Sequence, residues 1–385
     1  MKFFHISDLH IGKQLYHYSL VEEQKDILQQ IVQHAKEQCP DAILIAGDIY
    51  DSPVPSAEAV SIFDTFLTEL NALEQEPEVC LIAGNHDSAK RIDFASSILA
   101  KHRVHIAGMP PVEPQQYLKQ VTFEDAYGKV HVYLLPFLKP AYVKPLFPEE
   151  VNSYEDAVRK VIEREEIIQE DRNVLVSHQF YTASGASPRT CDSEVHIVGG
   201  LENVDVGVLT AFDFVALGHI HGKQSIGDER KRYCGTPLQY SVSEAEDEKT
   251  VTMVDLNEKG SAPLITELPL APMRKVRKMT GKLEDILAAA DETNCHDFVS
   301  ITLTDEVEDY QPKVRLEQKY DHILEIRIDN ARTRKLLEFS EEEMESIEPY
   351  DAFTAFFKEM NGREMTEEES SYMQIIVNQV QEVTE

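Results

Sequence analysis

The stretch "DAILIAGDIYD" (41–51) runs from a short apolar core through Gly47 to two carboxylates three residues apart, Asp48 and Asp51. An uninterrupted apolar run of this length, bounded by turn residues, suits a β-strand covered on both faces. Ligands of α/β sheets gather beyond the carboxyl ends of such strands. Asp48 and Asp51 stand at that position.

The chain repeats the device. Apolar strands are predicted at "KFFHIS" (2–7), "VCLIAG" (79–84), "NVLVSH" (173–178) and "DFVALGH" (213–219), and each runs into a polar cluster. The clusters are "DLH" (Asp8, His10), "GNHD" (Asn85, His86, Asp87), "SHQ" (His178) and "GHIH" (His219, His221). Gly47, Gly84 and Gly218 precede three of the five clusters and permit a sharp exit from the strand. An aspartate after a strand is commonly a turn or cap residue, and a single strand-end histidine is commonly structural. Five clusters of the same donor types at one edge are not accounted for in that way. Residues two apart in an extended segment point to the same side, so His219 and His221 can each reach a different ion.

Further strands are predicted at 103–108, 129–137 and 249–256. Helices are predicted at 19–38, where Ser19 and Glu22 have capping-box spacing, and at 56–73, entered after Pro53 and Pro55. Alternating strands and helices predict an α/β fold with helices layered on the sheet. From about 264 the texture changes. "LITELPLAPMRKVRKMTG", with two prolines and a basic cluster, predicts a linker. Beyond it, helix 282–290, strand 297–305, helix 312–320 and strand 322–329 predict a small α+β module. Residues 335–385 carry 14 acidic and 3 basic residues. They predict two short amphipathic helices broken at Asn361–Gly362, with Phe353, Phe356, Phe357 and Met360 along one face.

At roughly 100–200 residues per domain, 385 residues predict two or three domains. No apolar run is long enough for a bilayer span. "MKFFHISDLH" is not a signal peptide, because Asp8 breaks its apolar core; the expected location is the cytoplasm. Five scattered cysteines without C-x-x-C indicate neither a disulfide framework nor a structural zinc site. The net charge of −32 speaks against tight, autonomous DNA binding, because phosphate contacts are basic. Bound cations or a basic partner would change that balance.

Asp, His and Asn donors without sulfur suit Mn²⁺, Fe²⁺, Mg²⁺ or Zn²⁺. They suffice for two ions, which a shared carboxylate would hold close enough to clamp an in-line displacement at phosphorus.

The order D-x-H, G-D-x-x-D, G-N-H-D, S-H-Q, G-H-x-H resembles the calcineurin-like metallophosphoesterases. Within that superfamily, "SDLHIGK", "ILIAGDIYDSPVPS", "LIAGNHDS", "LPFLKP" (135–140), "VGGLENV" (198–204), "ALGHIH" and "YCGTPLQYSVSE" (233–244) resemble the SbcD family, the nuclease subunits of bacterial SbcCD-type complexes. "VSITLTDE" (299–306) resembles that family's capping domain. The resemblance implies a β-sandwich flanked by helices over 1–272, an α+β capping domain at 273–335 and a helical segment at 336–385 that docks on a coiled-coil ATPase of the SbcC type. It implies two divalent ions, Mn²⁺ foremost and Mg²⁺ as the alternative. Asp8, His10 and His221 would hold one ion, Asn85, His178 and His219 the other, and Asp48 would bridge them. His86 would stand near the scissile phosphate. Asp51, where archaeal relatives carry a second histidine, is a candidate helper. His17, seven residues after His10, is expected in a surface loop. The implied activity is that of a DNA double-strand 3′-to-5′ exonuclease and single-strand endonuclease that processes hairpins in repair, recombination and replication. The implied assembly is a homodimer within a heterotetramer at the nucleoid. The competing readings are a small-molecule or nucleotide phosphodiesterase of the same superfamily, and a non-catalytic scaffold.

Overall fold

The structure is a computed structural model. It describes residues 1–194, 202–306 and 311–331, together with 334, 350, 353–354, 356–358, 363–366, 369–370 and 372–374. The chain divides into two compact units: 1–278 with 290–300 and 317–325, and 279–289 with 301–316 and 326–385.

The first unit is built on two six-stranded sheets. In the first, the strands run in the order Leu264–Pro269, Thr250–Asp255, Lys2–Ile6, Ala42–Ala46, Glu78–Ile82, Val104–Ala107. The last four are mutually parallel. In the second, the order is Gln224–Ile226, Asp228–Tyr233, Phe214–Gly218, Arg172–His178, Gly128–Leu135, Lys119–Asp125. Phe3, Leu44, Ala46 and Ile82 of the first sheet pack against Val132, Val174, Val176 and Phe214 of the second, so the sheets share a dry interior. The outer face of the first sheet is covered by helices Val21–Gln38 and Ala57–Asn71, through Ile27, Ile31, Phe66 and Leu70. The outer face of the second is covered by helix Tyr154–Glu163, through Val158, Val161 and Ile162. Burying an aliphatic or aromatic side chain of this size is worth roughly 1.5–3 kcal/mol. The architecture is the expected α/β sandwich flanked by helices.

Parallel pairing sets the site. Ile6 lies opposite Ile45, Ala46 opposite Ile82, and Gly218 opposite His178. Within each sheet the polar clusters therefore leave the strands at one edge.

Several expectations change. The 19–38 helix starts at Val21, with Leu20 at its N-cap and no side-chain cap. Ser19 instead pairs with Gln14 in a two-residue ladder, so it is not the capping-box residue. Residues 264–269 are not a linker. They form a strand antiparallel to Thr250–Asp255, and Pro269 is tolerated because the strand lies at the sheet edge. Helix Tyr154–Glu163 was not expected; Ser153 caps it by accepting a hydrogen bond from Asp156 N.

Towards the C-terminus, strands Val276–Gly281, Phe298–Leu303 and His322–Ile328 form a three-stranded sheet, accompanied by helices Leu283–Ala288 and Pro312–Glu317. In the acidic segment Phe353 lies 6.4 Å from Phe356 and 6.5 Å from Phe357, ring to ring. Met360, Asn361, Gly362 and most of the two expected terminal helices lie outside the described residues. No described helix is long and apolar enough to cross a membrane.

Candidate metal centre

The strand ends bring seven of the expected residues into one buried cluster. Asp8, His10 and His221 offer ligand atoms within 4.8 Å of one another, and so do Asp8, Asp48 and His178. His10 Nε2 and His221 Nε2 face each other at 3.2 Å. Asn85 Oδ1 lies 3.0 Å from both His178 Nε2 and His219 Nδ1. Asp48 Oδ2 stands between the groups, 3.3 Å from His178 Nε2 and 3.7 Å from His10 Nε2.

The backbone is bent to achieve this. Asp8, His10, Asp48 and His219 hold positive φ values of 53°, 44°, 50° and 97°. Such conformations cost a non-glycine residue roughly 1–3 kcal/mol each and persist only where the surroundings impose them. The glycines contribute mainly by making room. A Cβ on Gly84 would lie 2.1 Å from Asp48 Oδ1, and one on Gly218 would lie 2.0 Å from Ala46 O. Of the three, only Gly47 has a positive φ, 91°, and a Cβ there would also meet His178 Nδ1 at 2.4 Å.

Hydrogen bonds fix which ring nitrogen points inward. His178 Nδ1 donates to Ala46 O at 2.7 Å, leaving Nε2 as the ring nitrogen that faces Asp48 and Asn85. His219 N donates to both oxygens of Asp8 at 3.1 Å. Asp87 fastens two motif loops together, accepting from Ile49 N, Tyr50 N and Gly84 N.

The electrostatics follow from burial. Burial pushes the Asp48 carboxyl up, but His178, then His10 and His86, outweigh it and hold the acid well below the usual carboxylate range. Burial pulls His178 down, but the Asp48 charge and hydrogen bond prevail and push the imidazole up to about 9. Asp87 is pushed up to about 6, by burial first and by the Asp48 charge second. His221 is lowered, chiefly by burial.

These residues fit divalent cations. Asp8 is fully buried and Asp48 nearly so, and two buried carboxylates side by side are costly without a countercharge. Donors roughly 2.0–2.2 Å from one cation lie roughly 3 Å apart, which is the spacing seen here.

His86 lies beside this cluster. Its ring lies edge-on to that of His10 at 4.9 Å, and its backbone N–H donates to Asp48 Oδ1 at 2.9 Å. Its Nδ1 donates to Asp51 O at 3.1 Å. The Asp51 carboxylate faces His10 Nδ1 at 3.4 Å and pairs with Lys13 at 2.8 Å. His17 is exposed and stacks on Tyr18. Sequence reasoning missed Lys13, Ser193 and Glu244. Lys13 and Glu244 lie in the quoted motifs "SDLHIGK" and "YCGTPLQYSVSE"; Ser193 has no local signal.

A four-layer sandwich with two overlapping donor groups at one edge defines a calcineurin-like phosphoesterase. The model of that family, described as "Calcineurin-like phosphoesterase", matches residues 1–223, and a second, described as "Type 5 capsule protein repressor C-terminal domain", matches residues 269–361. The SbcD subunit of the SbcCD nuclease from Staphylococcus epidermidis is 30% identical over 375 residues, covering 96% of this chain and 96% of that one. Among solved structures, a dimetal phosphatase from Danio rerio aligns over 70% of this chain and 99% of its own, with TM-score 0.42 and 14% identity. A phosphopantetheinyl hydrolase from Mycobacterium tuberculosis aligns over 60% and 86%, with TM-score 0.33 and 15% identity. The chain belongs to the calcineurin-like phosphoesterase family and, within it, to the SbcD family of metal-dependent nucleases.

Proposed function

We propose that this metal-dependent nuclease hydrolyses DNA phosphodiester bonds with two divalent cations, Mn²⁺ foremost. Asp8, His10 and His221 hold one cation, Asn85, His178 and His219 the other, and Asp48 serves both. The observation that carries this reading is the place of Asp48 Oδ2, between His178 Nε2 and His10 Nε2 at 3.3 and 3.7 Å. Bound there, the cations supply charge neutralisation at the phosphate and acidify water for in-line attack.

The chain's own residues supply the rest. His86 keeps Nδ1 engaged with Asp51 O, so Nε2 is the ring atom that can carry a proton to the leaving sugar oxygen. The Asp51 backbone carbonyl orients His86, and its carboxylate faces His10.

The net charge of −32 favours a basic partner for duplex DNA. An SbcC-type coiled-coil ATPase, docked on segment 336–385, fits that need, with 273–335 as the capping domain. Such a complex would act in the cytoplasm beside the nucleoid, as a homodimer within a heterotetramer. Deleting 340–385 should abolish co-purification with the ATPase while Mn²⁺-dependent phosphodiesterase activity persists; retained binding contradicts the docking role.

The decisive comparison is hydrolysis of duplex DNA and of a small chromogenic diester, with and without the ATPase. Duplex cleavage stimulated by the partner is expected, as a 3′-to-5′ exonuclease with endonuclease action on single strands and hairpins. Efficient cleavage of the small diester alone would favour a small-molecule phosphodiesterase.

A further inference from the structure

His178 and His221 are oriented by different parts of the chain. For His178 the outer partner is a strand carbonyl, Ala46 O, which no substitution removes. For His221 it is the Ser193 hydroxyl, 2.7 Å from Nδ1. Ser193 Oγ also lies 2.7 Å from Glu244 Oε1. A hydroxyl has one proton to give. Here it goes to the carboxylate, so Ser193 accepts from His221 Nδ1–H, and Nε2 presents its lone pair toward His10.

Glu244 is fully buried and firmly held. Lys249 Nζ donates to it at 2.7 Å and Ser241 Oγ at 2.9 Å. The same short segment grips the His221 backbone, whose N–H donates to Glu194 Oε1 at 2.6 Å. Asp192 N is tied to Ser243 Oγ at 3.0 Å. The side chains of Ser193 and Glu244 thus converge on His221, while His178 and His219 meet at Asn85.

We propose that Ser193, backed by Glu244, is a positioning residue for His221, and that segment 191–194 sets the affinity of one cation site and leaves the other unchanged. The proposal rests on the reading of His221 as a ligand and deepens it. Outer partners of this kind are worth about 10–100-fold in metal affinity.

The test uses the full chain, stripped of metal and titrated with Mn²⁺, followed by electron paramagnetic resonance and metal content. Wild type should take up two ions that couple magnetically. Ser193→Ala should bind one ion as wild type does and the second about 10–100-fold more weakly. Ser193→Thr, which keeps the hydroxyl, should restore the second ion; a merely structural role would give no such rescue. The double variant Glu244→Gln/Lys249→Met removes the buried charge pair together and should weaken the same single ion. Two ions at wild-type affinity in Ser193→Ala, or equal weakening of both, would overturn the proposal. Uptake of fewer than two ions by wild type would instead overturn the two-cation reading itself.

Discussion

The two sheets hold their shares of the centre by different means. The first sheet supplies the carboxylates and Asn85 on tight exits, with Asp8, His10 and Asp48 at positive φ and Gly84 leaving space for Asp48. The second supplies His178 from a strand end and His219 and His221 just beyond one, and aims two of these rings through their outer nitrogens. The first half is fixed mainly by backbone shape; in the second, hydrogen bonds aim His178 and His221, while His219, at φ 97°, also relies on its backbone. The halves also lock each other: the His178 ring is set by Ala46 O of the first sheet, and His219 N is bound by Asp8. The centre therefore exists only when the sandwich is closed.

The largest effect should come from the residue proposed to serve both cations. Asp48→Ala should lose both cations and lower turnover by about 10⁴-fold or more, because several kcal/mol of charge stabilisation leave together. Metal content and duplex hydrolysis check this; two retained ions would contradict the shared role of Asp48. His86 lies outside both proposed ligand sets. The variant His86→Ala should keep two Mn²⁺ ions and lose about 10²–10⁴-fold in turnover. Metal loss in that variant, seen by elemental analysis, would move His86 into the ligand set.

A backbone-shaped half should be sensitive to a single methyl group. In Gly84→Ala the new Cβ would collide with Asp48, and a displacement of about 1 Å can cost about 10²-fold in rate. Thermal melting should change far less than activity; equal loss of both would mean that Gly84 serves packing alone.

The hydrogen-bonded half should respond to pH. In the metal-free protein His178 titrates at about 9, above the ordinary 6.5. Its pairing with Asp48 stabilises that form fully below about 6.5, and the contribution is lost as pH rises through about 9. A ligand must be deprotonated, so Mn²⁺ uptake near pH 7.5 should release a proton, and affinity should rise up to about tenfold per pH unit before levelling near 9. Calorimetry in buffers of different ionisation enthalpy measures this. An affinity flat from pH 7 to 9 would contradict the Asp48–His178 pairing.

Much of this was legible in the chain. Each predicted strand that ends in a donor cluster is present, because continuous apolar runs such as 42–46 have one good solution in a two-faced sheet. The donor types named the edge where the site lies. What escaped was set by partners distant in sequence. Pro269 suggested a linker, but pairing across from Thr250 makes it the end of an edge strand. Ser19 matched a cap motif, yet the ladder with Gln14 claimed it. The glycines were expected to permit sharp turns, whereas Gly84 and Gly218 mainly admit Asp48 and Ala46 O. Ser193 could not be read at all, since its role depends on His221 and Glu244, 28 and 51 residues away.

The most direct test is a crystal grown with Mn²⁺ and measured at the manganese absorption edge. The account predicts two anomalous peaks about 3.5–4 Å apart, with Asp48 reaching both and His221 and His178 on opposite ions. A single peak, or two that Asp48 does not join, would contradict it.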